Sequence, residues 1–358
     1  MRYETPKLKA VSKAKHWILE KYFPAWARIL GSKNPALVYV DCFAGAGKYA
    51  EGEEGSPLLI LRKAQELVCK PNFHSNIILI FVEKNQQAAD ALRSRIPQRE
   101  SSRVCPVVIP EDAHNFIPQL LEAVPRDMPA FFFIDPYGHP LTIPVMNQIL
   151  LRPKTEILLT LMWYAINMHL DNPKVGPTID EMFGHAEWMN QKFMKQRRIE
   201  REISFVSYFL GQLKAEYKLK FKIRFSPEDK VQGGARRTKY YLVHLANHFK
   251  AVLLMKEVMW PLGDELGTFD YSATAQQPLF SQTPTVADLK KRLKDKFAGS
   301  RLTFEELQKR TWDWPFIEKH YRQAVKELEA DGLVQIERKS SKYTGVKDKD
   351  LITFEGAR

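Results

Sequence analysis

Short, near-continuous apolar runs alternate along much of the chain with stretches whose apolar positions recur at helical spacing. The runs are "ALVYVD" (36–41), "NIILIFVE" (76–83), "VCPVVI" (104–109), "AFFFID" (130–135) and "EILLTLMW" (156–163). Strands that are apolar throughout are buried on both faces, so this alternation predicts a parallel sheet covered by helices on each side. Ahead of it, residues 11–31 read as a helix bearing Trp17, Ile18, Tyr22 and Phe23, kinked at Pro24. Ser56-Pro57 gives a helix start, N-cap then first turn, for a helix over 57–69. After a helix at 197–217, "KLKFKIRFS" and "TKYYLVHLA" alternate and flank Gly233-Gly234, the pattern of an antiparallel hairpin closing the sheet.

Residues 261–283 are rich in Pro, Gly, Ser, Thr and Gln and read as a linker. Beyond it come helical patterns at 285–297, 303–311 and 316–331, then "LVQIERK" and "LITFEG" around a charged loop. Three helices followed by a two-stranded ribbon is the pattern of a winged helix. The domain plan is therefore 1–260 for the Rossmann-like unit, 261–283 for the linker and 284–358 for the winged helix. Such a C-terminal domain leaves two uses open, nucleic-acid binding through the third helix and wing, or protein docking.

With 358 residues the chain has room for these two domains. Its apolar runs are strand-sized and too short to span a bilayer, and its basic amino terminus is not followed by an apolar stretch, so neither a membrane span nor a secretory signal is expected. Cys42, Cys69 and Cys105 have no C-x-x-C spacing and fit free thiols in a reducing cytoplasm. Charge changes the picture more. Of the net +12, residues 192–256 hold an excess of +11, with 16 Lys/Arg against 5 Asp/Glu. Gathered charge of this kind suits phosphates, with Arg197, Arg198, Arg201, Arg236, Arg237 and Lys239 as candidates; a solvated basic face is the plainer reading.

The chemistry gathers at the strand ends, where open α/β sheets bind their ligands. The first strand ends at Asp41 and runs through Phe43 into a loop with Gly45 and Gly47, which allow positive φ and close backbone approach. The second ends at Glu83, placed to accept the two hydroxyls of a ribose; after the third, Asp112-Ala113 could receive an adenine amino group. The fourth ends in Asp135-Pro136-Tyr137-Gly138. Together and in this order they describe an S-adenosylmethionine (SAM) site of a class I methyltransferase, with a seven-stranded Rossmann-like sheet and an antiparallel terminal hairpin. A dinucleotide site would need its glycine loop to open directly into a helix, whereas here "KYAEGEEG" intervenes. Two rivals stand beside it. Asp41, Glu83, Asp112 and Asp135 could hold Mg²⁺ or Mn²⁺ for phosphodiester cleavage, or the fold could bind damaged or modified DNA without catalysis.

"D-x-F-A-G-x-G", "F-V-E-K-N" and "D-P" resemble RNA and DNA amino-methyltransferases, and "DPYG" looks like the "DPFG" of transfer-RNA guanine-N2 dimethyltransferases. Over almost the whole chain, "ILEKYFPAWARILG", "YVDCFAGAGKY", "GSPLLIL", "FFFIDPYG", "TKYYLVHLANH" and "MKEVMW" resemble the three-Cys-motif partner protein family. That resemblance implies a methyltransferase-like fold with a winged helix and a radical-SAM-like partner that carries the three cysteines. In such a site Asp135 and the Pro136 carbonyl would accept the N–H groups of an exocyclic amine, and Tyr137 would stack on its base. The sequence departs from the common D-P-P-Y, because the second proline is missing and the ring comes one position early. The segment 164–196, rich in Met, Trp and Phe, would cover the target pocket, either receiving the base or serving as a packed cap.

Overall fold

The computed structural model describes residues 10–97, 102–136, 138, 140–226, 229, 237–263, 270–271, 285–339 and 345–356. The chain divides into two compact units, the first running to His248 and the second beginning at Phe249.

In the first unit, helix α1 (Ala10–Gly31) precedes β1 (Ala36–Asp41), α2 (Ser56–Val68), β2 (Asn76–Val82), α3 (Gln86–Arg95), β3 (Val104–Ile109), α4 (Ala113–Ala123), β4 (Ala130–Ile134), α5 (Ile143–Leu150) and β5 (Thr155–Leu161). There follow α6 (Trp163–His169), α7 (Gly176–Phe183), α8 (Arg198–Gln212) and the hairpin strands β6 (Tyr217–Arg224) and β7 (Thr238–Ala246). These seven strands stand in the order β3-β2-β1-β4-β5-β7-β6. The first five are parallel, and β7 runs antiparallel to both β5 and β6. This strand order is like that of the class I methyltransferase fold, and it reverses between β1 and β4, where a ligand crevice opens.

Burial follows the sequence pattern. Strands β4 and β5 are buried at every position, whereas β6 alternates, turning Tyr217, Leu219, Phe221 and Ile223 inward and Lys218, Lys220, Lys222 and Arg224 outward. One face of the sheet packs on Tyr22, Phe23 and Trp26 of α1, whose rings meet Tyr39 and Phe131 at centroid distances of 5.4–5.7 Å. The opposite face packs on α4, α5, α7 and α8 through Ile117, Met146, Phe183 and Phe205.

Helix α1 continues through Pro24. Two local expectations change. Helix α2 begins at Ser56 with Gly55 as its N-cap, because the Ser56 hydroxyl is used elsewhere. Helix α8 ends at Gln212, where Leu213 turns extended ahead of β6.

The second unit contains α9 (Phe249–Met259), α10 (Val286–Phe297), α11 (Phe304–Lys309) and α12 (Glu318–Ala330). Capping boxes, Thr285 with Asp288 and Thr303 with Glu306, start α10 and α11. Strands Val334–Glu337 and Leu351–Phe354 form the expected ribbon, and Arg301–Thr303 joins it as a third antiparallel strand. Helix α9 belongs with this unit, so the division falls before it and not after residue 260. Its Lys256, 1 % exposed, donates to the Trp312 and Trp314 carbonyls at 2.9 and 2.7 Å. Most of 261–283, the expected linker, lies outside the described residues.

Candidate active site

Asp41 closes β1 inside the protein, fully buried. Its Oδ1 accepts the Phe43 N–H at 3.2 Å and its Oδ2 accepts the Ser56 hydroxyl at 2.6 Å. Burial pushes its carboxyl up to about 7, against those two hydrogen bonds. The acid therefore fastens the loop to the head of α2.

The loop itself needs its glycines. Gly45 and Gly47 sit at φ 63° and 81°, where other residues are strained. A Cβ on Gly47 would lie 2.6 Å from Leu92 Cδ1, so α3 closes on the loop there. The Gly45 N–H donates to Glu83 Oε2 at 2.8 Å, while Glu83 Oε1 accepts the Asn85 N–H at 2.8 Å. One carboxylate thus ties the loop after β1 to the turn after β2.

Asp112 caps α4, accepting the His114 N–H at 2.9 Å, with His114 Nδ1 also 2.9 Å from the same oxygen. Partial burial raises its carboxyl, but His114 and Lys84 outweigh that and hold it below the usual range. Ala113 follows as the first, buried residue of α4.

Asp135 and Pro136 continue from β4. Asp135 Oδ2 holds Lys15 Nζ of α1 at 2.5 Å, leaving Oδ1 without a hydrogen bond among the described residues. Lys15 also lies 5.4 Å from the centroid of the Tyr240 ring. Tyr137 lies outside the described residues.

These groups border two cavities at the carboxyl ends of the strands. The larger, about 400 Å³, is lined by Glu83, Asp112, Ala113 and His114, with Thr178, Glu181 and Met182 of α7. The smaller, about 260 Å³, is lined by the Gly45–Gly47 loop with Lys15, Asp135, Lys239 and Tyr240. Phe43 and Pro136 line both. Every described cofactor and catalytic candidate except the deeply buried Asp41 thus borders one cavity or the other. Lys15 and His114 were not foreseen; no local spacing signals them, since they meet the strand ends only through tertiary packing, whereas Thr178, Glu181 and Met182 belong to the 164–196 segment expected over a pocket.

Phe183, Trp188 and Phe193 of 164–196 line neither cavity. Phe183 and Phe193 pack on Phe205, and Trp188, 2 % exposed, donates to Asp180 at 2.6 Å, so this part of the segment is a packed cap.

Among the basic candidates, Arg197 and Arg198 are exposed at the start of α8. Arg201 is not available for phosphate: it is 4 % exposed and gripped at both ends by Asp171, at 2.7 and 2.6 Å. Arg237 lies 5.1 Å over the Tyr164 ring, and Lys239 pairs with Asp229 at 3.0 Å. Arg236 lies outside the described residues.

The metal reading finds no geometry. Among the described residues no group of three or more His, Cys, Asp or Glu is placed to hold an ion. Asp41 is used by the loop, Asp112 caps a helix and Asp135 carries Lys15.

Residues 268–341 match the family model of the GMT-like wHTH domain. The winged helix of the second unit agrees with that match. No curated protein matches the sequence. Among solved structures, a Legionella pneumophila protein is 11 % identical, covers 66 % of this chain and 85 % of its own, and has a TM-score of 0.37. A Bacillus cereus O-methyltransferase in complex with S-adenosylhomocysteine (SAH) is 13 % identical over 67 % of this chain and 92 % of its own, TM-score 0.32. Human methyltransferase-like protein 13, also with SAH, is 11 % identical over 70 % and 92 %, TM-score 0.33. Identities this low carry neither substrate nor chemistry across. Among the described residues no helix is long and apolar enough to cross a membrane.

Proposed function

We propose that the first unit is a SAM-dependent N-methyltransferase acting on the exocyclic amine of a nucleic-acid base, in the cytoplasm. We further propose that the chain is a three-Cys-motif partner protein, working beside a radical-SAM-like protein. The observation that carries the reading is the Glu83 clamp: the acid at the tip of β2 holds the glycine loop after β1 at 2.8 Å, with a cavity on either side of Phe43.

The residues fit such a cofactor. Glu83 has carboxylate lone pairs left for ribose hydroxyls after its two backbone bonds. Ala113 and the capped Asp112 would border the adenine, and the Gly45–Gly47 backbone the amino-acid tail. SAM supplies an electrophilic methyl group on sulfur. The chain's own task is to make a poor nucleophile better. An exocyclic amine has its lone pair delocalised into the ring, and acceptors on its N–H groups favour the positive charge that develops. Asp135 Oδ1 and the Pro136 carbonyl are the acceptors, Oδ2 being held by Lys15. Tyr137 would stack on the base, worth roughly 1–3 kcal/mol for an unpaired nucleotide. A target inside a duplex must first be flipped out.

The test is a thermal-shift and equilibrium-binding series with SAM and SAH. SAH should raise the melting temperature of the intact protein, and Glu83→Ala should weaken binding at least tenfold by removing charge-assisted hydrogen bonds. An intact protein whose melting is unmoved by saturating SAM or SAH would end this reading.

A further inference from the structure

Winged-helix domains usually meet nucleic acid through the third helix and the wing. Here the third helix is poorly charged for that work. Helix α12 carries three basic residues (Lys319, Arg322, Lys326) against three acids (Glu318, Glu327, Glu329). Its Arg322 turns back on Glu318, Nε to Oε1 at 2.7 Å, and lies 3.5 Å from Asp348. Arg338, at the start of the wing, is held by Glu329 at 2.7 and 2.5 Å.

The first helix is different. Helix α10 carries five basic residues (Lys290, Lys291, Arg292, Lys294, Lys296) against two acids, and one of those, Asp288, is used in the capping box. Lys290 pairs with Asp331 at 2.7 Å, whereas Lys291, Arg292, Lys294 and Lys296 are exposed. Two of them share a platform. The Arg292 guanidinium lies 6.0 Å from the Trp314 ring centroid and 5.9 Å from that of Phe316, and Lys296 Nζ lies 5.2 Å from that of Trp314. Trp314 packs on the domain core, so the platform is fixed. Lys296 is steadied further by donating to the Arg310 carbonyl at 2.8 Å, beside the exposed Arg310 side chain.

We propose that this domain grips the sugar-phosphate backbone of a polynucleotide through α10, with Arg292 and Lys296 on Trp314 as its phosphate clamp. The inference rests on reading the winged helix as a nucleic-acid module. Free Lys and Arg side chains lose rotamer entropy when a phosphate fixes them. Two cations already laid on a half-buried ring by cation–π contact have met part of that cost before binding. They also stand one helical turn apart, with no carboxylate paired to either among the described residues.

Fluorescence anisotropy of labelled single-stranded and duplex oligonucleotides, titrated with the full chain across a salt series, tests this. Arg292→Glu with Lys296→Glu should weaken binding at least tenfold. Arg292→Gln with Lys296→Gln should flatten the log–log salt slope by about 1.4–1.8, two phosphates at about 0.7–0.9 each. Lys319→Glu with Lys326→Glu on α12 should change Kd less than threefold. Trp314→Leu should lower affinity while leaving the slope unchanged, since the charges remain. Melting curves show which variants stay folded, and the glutamine pair stands in where charge reversal unfolds the domain. If the wild type binds and the α12 pair costs as much as the α10 pair, or the α10 pair leaves Kd within threefold, the clamp is wrong while nucleic-acid binding stands. A wild type that binds neither oligonucleotide overturns both.

Discussion

Lys15 of α1 reaches Asp135 at the tip of β4, Nζ to Oδ2 at 2.5 Å, joining residues 120 positions apart. The side chains are only 11 % and 21 % exposed, so neither charge is well solvated without the other. Lys15→Met would leave Asp135 a half-sheltered carboxylate with no partner. We expect it to cost about 2 kcal/mol, between the limits for exposed and buried pairs. A double-mutant cycle with Asp135→Asn, read by denaturant unfolding, checks the value. Additive losses would mean that the pair contributes nothing.

Gly47→Ala places a methyl group on a backbone at φ 81°, with Leu92 Cδ1 2.6 Å away. The left-handed conformation costs roughly 1–2 kcal/mol and the overpacking about 1 more. Gly52→Ala is the control, since Gly52 has φ 96° but no atom within 4 Å of an added Cβ. Thermal or denaturant melting should show Gly47→Ala losing more stability. Equal losses would mean that α3 does not close on the loop.

Asp41 gives the first unit a pH signature. Burial raises its carboxyl from 3.8 to about 7. A raised acid binds its proton more tightly in the native state. Its contribution is therefore fully present below the unfolded value and is lost as pH rises through the native one. Between pH 6 and 8 the unfolded acid is ionised throughout, so falling pH should add about 1.4 kcal/mol of stability through this group. Asp41→Asn should remove that increment. Parallel pH–stability curves for the wild type and the variant would contradict it.

Much of this was legible in the sequence for a physical reason. Strands buried on both faces are near-continuously apolar, so β1 and β4 announced themselves, the half-exposed hairpin strand β6 showed by its alternation, and ligand groups at strand tips are short-range features. What stayed hidden depends on distance along the chain. Lys15 reads as an ordinary polar residue on a helix until α1 packs under β4. Arg201 reads like its neighbours Arg197 and Arg198, and only the fold brings Asp171 to it. Tyr22, Glu156 and His244 form a buried polar cluster, with His244 Nε2 2.8 Å from Glu156 Oε2, although their local patterns say only helix and strand. Likewise Ser56 looked like an N-cap because the partner that claims its hydroxyl, Asp41, lies on another element.

Asp135→Asn tests the chemistry proposed at the tip of β4. The substitution keeps the shape but removes the negative charge, and an amide in place of the carboxylate can direct N–H donors at the substrate's own. Its effect should fall on the transition state, where the amine becomes positive, and less on the bound ground state. We therefore expect methyl transfer to a nucleic-acid substrate to lose most of its kcat with KM little changed, and SAH binding to stay near the wild-type value. Lys15→Met separates charge from position. It frees Oδ2 but leaves the carboxylate charged, so turnover should persist, with a larger change in KM than in kcat. Tyr137→Phe should be mild and Tyr137→Ala should weaken substrate capture, because stacking needs the ring and not the hydroxyl. Methyl transfer that survives Asp135→Asn at the wild-type rate would remove Asp135 from the reaction. A wild type that binds SAH and nucleic acid yet transfers no methyl group would instead leave the fold as a binding partner.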